Sequence, residues 1–538
     1  MKKSLFIVPL ISLFVLSLLT LLQASVEAGP GMIRVPADYP TIQEAINAAA
    51  PESIILVSDG VYYEHLVVNK TLTLIGQDKA TTIIDGNGIG SRFEDSVVYV
   101  TANGVIINGF TIRNSGGDGY WSYVAGIGLA SNGSEITGNI IIENNRGIIG
   151  GGNTIISDNI IQNNNYGIYH GIYGGRNNVI SSNTISDNHH IGVWFEGLSG
   201  NDSNIITDNI ISNNQGGISL CGFIIIGGST LNTRHNVLQC SSEVPPPPLS
   251  NNAISGNRIT GNEYGITIAW SGGNTIRNNV ITHNHYGVNF DEASNNTLIS
   301  NTISNNNLGI DLAYSNNNTI YHNNFVENAG QLKSSGTSNI WDNGTEGNYW
   351  SDYDGLDDGS DGRVAGDGVG DTDLPHLGVD YYPIIFPWGP IPIVWDNVAY
   401  PVSLLSNSTV STFCFIQADK KITFNVRGPS DTVGYCNVTI LKNLLRDNPW
   451  KVLLNDTDVT SQAIMTENQT HTSIYFTYNH SNYNVQIIGT WVIPEFPTHN
   501  VLVLTTFLTL LPVILLNKKR KRQPERIHST IRKQLTLL

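Results

Sequence analysis

Two consecutive segments of 22 residues carry one pattern: NVITHNHYGVNFDEASNNTLIS at residues 279–300 and NTISNNNLGIDLAYSNNNTIYH at residues 301–322. Each segment begins with an Asn that is followed two positions later by Ile. The same Asn-x-Ile pattern, or a close variant, recurs at Asn139, Asn159, Asn183, Asn209, Asn257, Asn279, Asn301 and Asn323. A period of this length indicates a repeat architecture, and a missed repeat would mislead every later assignment.

Aligned on that Asn, the repeats contain three columns of apolar, mostly β-branched residues. In one repeat the columns are represented by Ile276, Ile281 and Val288. Gly and Asn interrupt every apolar run, which argues against an amphipathic helix and favours three short strands. One repeat cannot bury its apolar side alone, but stacked repeats can, so the pattern predicts a parallel β-helix of roughly triangular section. The repeated Asn is expected inside a turn, bonded to the same Asn one coil on.

Charge narrows the range of partners. The chain has 538 residues and a formal net charge of −16. Ten of its 28 basic residues lie near the two ends, so residues 29–516 carry a net charge of −24. Nucleic acid is therefore excluded as an expected partner, because binding it requires basic surface that neutralises phosphates. An acidic polysaccharide would also be repelled unless metal ions bridged the two.

Both ends of the chain carry targeting signals. Residues 1–28 have the basic start and apolar run Leu5–Leu22 of a secretory signal peptide, with a retained anchor as the alternative. Near the other end, Pro-Glu-Phe-Pro at 494–497 precedes an apolar run, Val501–Leu516, and a basic cluster at 518–522. This pattern predicts a C-terminal transmembrane helix with the body of the protein outside and a cytoplasmic tail at 523–538.

The start of the predicted β-helix has a helix signal. Thr41 is expected to cap a helix that runs to about Ala49, with Glu44 completing a capping box. The chain resembles the right-handed β-helices of the pectin-lyase-like superfamily in three features: this helix, the following DGVYYEHLVVNKTLTLIG at residues 59–76, and the Asn-rich repeats. Among those proteins it most closely resembles the NosD-type (periplasmic copper-binding) ones. The resemblance covers about residues 33–386. It implies the fold and leaves the chemistry open, because the superfamily includes lyases, hydrolases, binding proteins and surface fibres.

The remaining segments complete an all-β prediction. Residues 29–340 form the β-helix, with a loop insertion at 222–250, and residues 341–392 form an Asp/Gly-rich closing segment and a Pro-rich linker. Alternating strands in 393–493 predict a small β-sandwich. The segment 494–522 resembles the PEF-type archaeal sorting tail, which implies a protein of the cell surface whose helix a peptidase removes; a plain membrane anchor is the alternative.

Cysteines and glycosylation signals fit an exported chain. The cysteines form two local pairs, Cys221 with Cys240 and Cys414 with Cys436, which predict two disulfides or, as the alternative, buried thiols. Asn-x-Ser/Thr signals are dense and indicate a glycosylated surface. Five of them lie in the predicted sandwich, at Asn407, Asn437, Asn455, Asn468 and Asn479.

Outward positions on the third strand of each repeat carry the candidate site. Strand geometry predicts that Asp291 and Asp311 lie about 8 Å apart. This separation suits an inverting glycosidase pair or a calcium site, and a solvated acidic face is the alternative. Glu196 is a further candidate acid. No Lys or Arg is identified beside these acids. An aromatic stripe on the same face suggests stacking on sugar rings, with inert surface aromatics as the alternative, and its residues are Tyr169, Trp194, Tyr264, Trp270 and Tyr286.

The closing segment predicts a calcium site, because hard cations prefer clustered carboxylates and glycines allow tight turns. Its candidate ligands are Asp352, Asp354, Asp357, Asp358, Asp361, Asp367, Asp371 and Asp373. Copper is disfavoured, since His residues are scattered and Met is scarce before the predicted membrane helix. We therefore expect a cell-surface protein that binds an extracellular glycan or forms part of the envelope, with a polysaccharide-degrading enzyme and a metal-delivery accessory as alternatives.

Overall fold

The computed structural model describes residues 30–117, 122–197, 202–222, 249–395, 398–446 and 449–493. They divide into two compact units, one within residues 30–388 and including Thr409–Thr412, and the other formed by Gly389–Ser408 and residues 413–493. The predicted signal peptide, most of the insertion with Cys240, and the chain from residue 494 onward lie outside the described residues. Within the described ranges, no helix has both the length and the apolar character needed to cross a membrane.

The first unit is a parallel β-helix of the right-handed type, as the repeat predicts. Its three sheets are named walls A, B and C. The strands of wall A are Met32–Val35, Ile54–Val57, Thr73–Gly76, Ile106–Asn108, Glu135–Thr137, Ile155–Ser157, Val179–Ser181, Ile205–Thr207, Ala253–Ser255, Thr275–Arg277, Thr297–Ile299 and Thr319–Tyr321.

Walls B and C complete each coil. The strands of wall B are Gly60–Tyr62, Thr82–Asp85, Thr111–Arg113, Ile140–Ile142, Ile160–Gln162, Thr184–Ser186, Ile210–Ser212, Arg258–Thr260, Val280–Thr282, Thr302–Ser304, Asn324–Val326 and Tyr349–Trp350. The strands of wall C are Leu66–Val68, Val98–Val100, Ala125–Asn132, Arg146–Gly152, Tyr166–Gly174, Ile191–Glu196, Gly216–Cys221, Tyr264–Ala269, Tyr286–Asp291, Leu308–Ala313 and Gly330–Ser334.

Each predicted apolar column lies on one wall and points into the core. Ile281 of wall B stands directly opposite Ile303 of the next coil, and Val288 of wall C stands opposite Ile310. All four side chains are fully buried. Like residues therefore stack along the axis, and the backbone of each coil pairs with its neighbours in parallel register, which is how the stacked repeats bury what one repeat cannot.

Three asparagine ladders hold the corners, whereas the sequence pattern predicts one. In each ladder the Asn Oδ1 accepts the backbone N–H of the Asn one coil earlier, as between Asn301 and Asn279 at 3.0 Å. The predicted ladder separates walls A and B and ends at Asn348. The second, between walls B and C, contains Asn144, Asn164, Asn188, Asn214, Asn262, Asn284, Asn306 and Asn328. The third, between walls C and A, contains Asn178, Asn204, Asn252, Asn274, Asn296, Asn318 and Asn339.

Both ends of the β-helix are covered. At the start, the helix Ile42–Ala48 is capped by Thr41 Oγ1, which accepts the Glu44 N–H at 3.2 Å. The Glu64 carboxylate accepts the backbone N–H groups of Ile42 and Gln43, the first two residues of the helix. At the other end, Trp350 stacks on Phe325 with 4.3 Å between ring centroids. Short 3-10 turns occur at Phe93–Asp95, Ser360–Gly362 and Thr460–Gln462.

The second unit contains two five-stranded antiparallel sheets and a two-stranded one. The first sheet consists of Ile391–Trp395, Val398–Ser406, Val433–Leu441, His471–Asn479 and Ile464–Glu467. The second consists of Thr409–Ile416, Lys421–Arg427, Asn482–Ile488, Lys451–Leu454 and Thr457–Asp458, and the short sheet pairs Leu445–Arg446 with Trp491–Val492. Alternate residues are buried along the long strands, as in a sheet with one face in a core.

The predicted disulfide between Cys414 and Cys436 is wrong for this structure. The two cysteines lie in different five-stranded sheets and not on neighbouring strands. Cys436 is a fully buried thiol whose Sγ lies 3.6 Å from Ser406 Oγ and 3.4 Å from the Tyr478 hydroxyl. Burial raises the pKa of this thiol to about 11, so it stays protonated and unreactive at neutral pH.

Candidate functional site

The outer face of wall C carries a row of polar side chains, one per coil. Thr267, Asn289, Asp311 and Lys333 stand opposite one another in consecutive strands. Beside the row, Asp291 stands opposite Ala269 and Ala313. We call this part of the face the lower wall, and its residues are Tyr264, Thr267, Tyr286, Asn289, Asp291, Asp311 and Lys333.

An ion pair joins the last two strands of the lower wall. Lys333 Nζ donates to Asp311 Oδ2 at 2.7 Å, and the Asp311 side chain is only 9% exposed. The hydrogen bond to Asp311 raises the pKa of Lys333, so the amine stays charged and serves as a donor rather than as a base. This cation was not predicted because Lys333 lies after Phe325, where the repeat pattern fades and no longer shows which residues face outward.

The two candidate carboxyls lie in different environments. Burial raises the pKa of Asp291, and the charge of Asp311 raises it further. Asp311 instead has Lys333 as a direct partner. Their register, one strand and two residues apart, is the one predicted, and strand geometry then gives a separation of about 8 Å. Glu292, the next residue, also has a pKa raised by burial and by the charge of Asp291.

Asn289 is a lower-wall residue with unused hydrogen-bonding capacity. It is largely buried between Thr267 and Asp311, and its amide makes no hydrogen bond to another residue that the structure describes. A carboxamide offers two donors and one acceptor in one plane. The ion pair and the carboxamide therefore present donors and acceptors side by side.

The two tyrosines of the lower wall are half-buried, and each covers one ring face of the other. The Tyr264 and Tyr286 rings stack at 4.9 Å between centroids with 4° between planes. That distance is close to the spacing of neighbouring strands, about 4.8 Å, so the rings stack along the axis and cover each other. Burial raises the pKa of Tyr264 to about 12, which leaves its hydroxyl a donor at neutral pH. Trp270 follows the strand in a left-handed conformation and is half-buried.

Two other residues of the predicted aromatic stripe, Tyr169 and Trp194, are buried and offer no face for a sugar ring. Tyr169 is 2% exposed and Trp194 is 1% exposed. The Tyr169 hydroxyl donates to Glu196 Oε2 at 2.7 Å, which uses the third acidic candidate in an internal contact. These rings pack against one another at 4.8 Å and thus belong to a closed cluster.

A buried arginine organises that cluster, and the sequence analysis missed it. The Arg146 guanidinium lies 4.6, 5.2 and 5.0 Å from the ring centroids of Tyr123, Tyr166 and Tyr169. Arg146 stands opposite Tyr166 in the register of wall C. Cation–π attraction is strongest where water is excluded, so the arginine stabilises the packed rings. The sequence signal that could have predicted this cluster is the alignment of Arg146 with Tyr166 in one outward column of the repeat.

The carboxylates of the closing segment are bonded mainly to nearby backbone. Asp357 accepts the N–H groups of Gly366 and Gly368, and Asp371 accepts that of Gly359 at 2.6 Å. All eight predicted calcium ligands lie outside the strands. Across the described ranges, His, Cys, Asp and Glu side chains form no group of three or more placed to hold a metal ion. The calcium site stays a prediction.

The family assignment agrees with this fold. Residues 51–238 and 248–355, more than half of the chain, match the model of the family described as periplasmic copper-binding protein (NosD). The chain belongs to the NosD family. No curated protein matches the chain.

The described residues of this NosD-family chain do not fit the copper in the family description. Copper prefers His, Met and Cys ligands. Within the residues that the structure describes, His, Cys, Asp and Glu side chains form no group of three or more that could hold a metal ion. Met32 is 52% exposed at the first strand, far in sequence from His190 and His285. No step of any mechanism is therefore assigned to copper.

Solved β-helix structures resemble the chain only distantly. The A-module of mannuronan C-5 epimerase AlgE6 from Azotobacter vinelandii is 16% identical, with 56% of this chain and 92% of that chain covered and a TM-score of 0.39. DFA-IIIase from Arthrobacter chlorophenolicus A6 is 14% identical, with 67% and 100% covered and a TM-score of 0.41. Likeness at this level says nothing about the chemistry of this NosD-family chain.

Proposed function

We propose that this NosD-family protein is exported and binds an extended carbohydrate chain along the lower wall. One observation carries the proposal: Thr267, Asn289, Asp311 and Lys333 form a straight row of hydroxyl, amide, carboxylate and ammonium groups on one face. The description of the family as periplasmic and the predicted signal peptide support export.

The row suits a ligand whose hydroxyls both donate and accept hydrogen bonds. Successive strands are about 4.8 Å apart, so a chain of sugars that follows the axis meets a new polar side chain at each coil. The Tyr264 and Tyr286 rings border the row as a stacked pair. Because the middle of the chain is strongly acidic, the proposed ligand is a neutral glycan, with Lys333 compensating the charge of Asp311.

The test is a glycan array probed with the full chain, followed by titration of any ligand found. Asn289→Ala should weaken binding at least tenfold, because it removes the carboxamide with unused donors and acceptor. The matched control is Thr275→Ala, an outward residue of wall A whose hydroxyl makes no hydrogen bond to another described residue. Absence of any glycan ligand, or equal binding by both variants, would overturn the proposal.

Hydrolysis of a polysaccharide is a second candidate, favoured by the different environments of Asp291 and Asp311. A carboxyl kept protonated by burial acts as a general acid, and an ionised partner at roughly 6.5–9.5 Å activates water in inverting glycosidases. In that case Asp291 would protonate the leaving oxygen. A reducing-end assay run beside the array decides: sugar release that Asp291→Asn abolishes would replace binding by hydrolysis.

A further inference from the structure

We propose that N-linked glycans line one corner of the β-helix, attached to Asn69, Asn132, Asn295 and Asn317. This inference rests on the export contained in the proposed function. Each of the four begins an Asn-x-Ser/Thr signal. The new element is their common position in the fold, which the sequence alone does not reveal.

All four asparagines lie where the chain passes from wall C to wall A. Asn69 follows the strand Leu66–Val68 of wall C and precedes Thr73–Gly76 of wall A. Asn132 ends the wall C strand Ala125–Asn132. Asn295 and Asn317 occupy the same corner in two consecutive coils, 22 residues apart. The signals therefore share one edge of the β-helix, although they are spread over some 250 residues of sequence.

Local geometry turns two of these side chains, those of Asn295 and Asn317, outward. The corner is held by the third ladder, whose Asn296 and Asn318 point inward and are 1% and 0% exposed. Asn295 and Asn317 directly precede them with φ of 62° and 55°, the left-handed conformation that Asn tolerates better than most residues. An asparagine in this position faces solvent while its neighbour closes the ladder.

The four side-chain amides are also accessible to a modifying enzyme. Asn69, Asn132, Asn295 and Asn317 are exposed, and none of their side chains makes a hydrogen bond to another residue that the structure describes. In the transfer reaction the amide nitrogen attacks the anomeric carbon of a lipid-linked oligosaccharide. A carbon–nitrogen bond forms, the bond from that carbon to the phosphate oxygen breaks, the lipid phosphate leaves with the electron pair, and the amide loses one proton.

Two of the five signals in the second unit provide an internal contrast, because they are not exposed. Asn407 is half-buried, with Nδ2 donating to the Val433 carbonyl at 3.0 Å and Oδ1 accepting the Tyr435 N–H at 2.8 Å. Asn437 lies half-buried within the strand Val433–Leu441. A glycan on either residue would prevent these backbone contacts or the packing of the sheet, so a folded molecule is not expected to carry one there.

The corner also borders the proposed site. Asn295 follows Asp291 by four residues, and Asn317 follows Asp311 by six. Glycans at these positions would cover the edge of wall C next to the lower wall without occupying the row that contains Asn289. Binding at the lower wall and glycosylation of the corner are therefore separable in experiments.

The experiment is glycopeptide mass spectrometry of the full protein isolated from its source cells, with the mature N-terminus sequenced in the same sample. We expect oligosaccharide at the four corner asparagines and none at Asn407 or Asn437. A quadruple Asn→Gln variant of the corner should lose the corresponding mass and keep the glycan-array ligand of the parent.

Three outcomes would overturn the inference. Unmodified corner peptides in a protein that has lost its signal peptide would refute corner glycosylation while leaving export and carbohydrate binding in place. Unmodified peptides in a protein that retains residues 1–28 and stays inside the cell would refute the inference together with the export it requires. Glycans found at Asn407 or Asn437 but not at the corner would show that exposure in the fold does not select the sites.

Discussion

Lys333 Nζ lies 2.7 Å from Asp311 Oδ2 on the outer face of wall C, and this contact divides the two candidate carboxyls into a paired and an unpaired one. Asp291 lies diagonally across from Asp311, half-buried and with its pKa raised by burial and by the charge of Asp311. The lower wall thus holds an acid that the fold does not neutralise. Groups that cost stability in this way are typical of functional sites.

The first prediction is that Asp291→Asn stabilises the protein near pH 7. A carboxyl whose folded-state pKa is raised favours the protonated form, so its stabilising contribution is present below the unfolded pKa and is lost as pH rises through the folded pKa. Removing the charge should add roughly 0.5–2 kcal/mol at neutral pH, the range of common stabilising substitutions. The gain should shrink as pH falls below the ordinary Asp value of 3.8.

Thermal unfolding from pH 3 to pH 8 measures this effect, and Asp187→Asn on an exposed turn is the matched control. A variant that is less stable than the parent at neutral pH would show that Asp291 is satisfied in the fold and is not held there for a ligand.

The second prediction concerns the predicted asparagine ladder. Asn279 Nδ2 donates to the carbonyls of Ile254 and Arg277 and to Asn301 Oδ1, at 2.9, 3.0 and 3.0 Å. Asn279→Ala removes the Asn279 partners of the Ile254 carbonyl and of the Asn257 N–H. Asn301 Oδ1 keeps the backbone N–H of residue 279, and the Arg277 carbonyl keeps the Gly256 N–H. Each unsatisfied buried group costs about 1–3 kcal/mol, so we expect a total loss of at least ~2 kcal/mol.

Urea unfolding of the full chain gives the loss, and hydrogen exchange locates it at the coils next to residue 279. Thr275→Ala in the same coil should cost less than about 1 kcal/mol, the span of strand propensities. Equal stability of the two variants would mean that water molecules replace the hydrogen bonds of Asn279 with no loss in the free energy of unfolding.

The architecture was predictable because its cause is local. The spacing of Ile276, Ile281 and Val288 repeats in every coil, and stacking identical coils leaves one way to bury all three. The same repeat carried signals for two further ladders, since Asn284 and Asn274 stand five residues on either side of Asn279. They were missed because the alignment followed only the Asn before each Ile.

The state of the candidate site was less predictable because it depends on contacts outside the repeat. Outward position alone suggests that Tyr169 and Trp194 are exposed, yet Arg146 and Tyr123 from earlier coils enclose them. Lys333 comes from the last strand of wall C, where the consensus has faded. Periodicity reports which side of a wall a residue faces, but the neighbours that cover it come from irregular segments.

The third prediction is that calcium raises the melting temperature of the full chain. The closing segment carries eight Asp residues between 352 and 373 and one cation, Arg363, which lies over the Tyr382 ring. Burial raises the pKa of Asp357, with Asp367 and Asp371 adding to it, as expected where carboxylates repel one another. An ion that binds only the folded chain stabilises it by linkage, by ~2.7 kcal/mol at 100 times its dissociation constant.

Melting curves in excess chelator and in millimolar calcium test this, with Asp357→Asn expected to reduce the shift. Asp419→Asn, an exposed residue of the second unit paired with Lys421, should keep it. Superimposable curves for the parent would identify the segment as an acidic loop held by its own backbone contacts.

The fourth prediction is that His170 makes the β-helix sensitive to acid. Its ring is buried and stacks on Phe195 with 4.8 Å between ring centroids. Neither ring nitrogen makes a hydrogen bond of good geometry to a described residue, and the nearby backbone of Gly150 and Gly151 only partly opposes the effect of burial on its pKa. Burial lowers the pKa of this imidazole from 6.5 to about 4. Between these values the unfolded chain binds a proton that the folded chain does not, so stability falls as pH drops from 6.5 towards 4. One proton corresponds to about 1.4 kcal/mol per pH unit, which gives up to ~3 kcal/mol over the window.

His170→Phe removes the proton site and keeps the stack on Phe195. The variant should be at least as stable as the parent at pH 7, since it buries no unpaired nitrogen, and it should lose less stability on acidification. The measurement is the free energy of unfolding in urea at intervals from pH 7 to pH 4, with His285→Phe at an exposed position as the control. Parallel pH profiles for the parent and His170→Phe would show that the imidazole finds a partner, such as an internal water, that keeps its proton affinity ordinary; diverging profiles would assign the acid sensitivity of the β-helix to one side chain in its core.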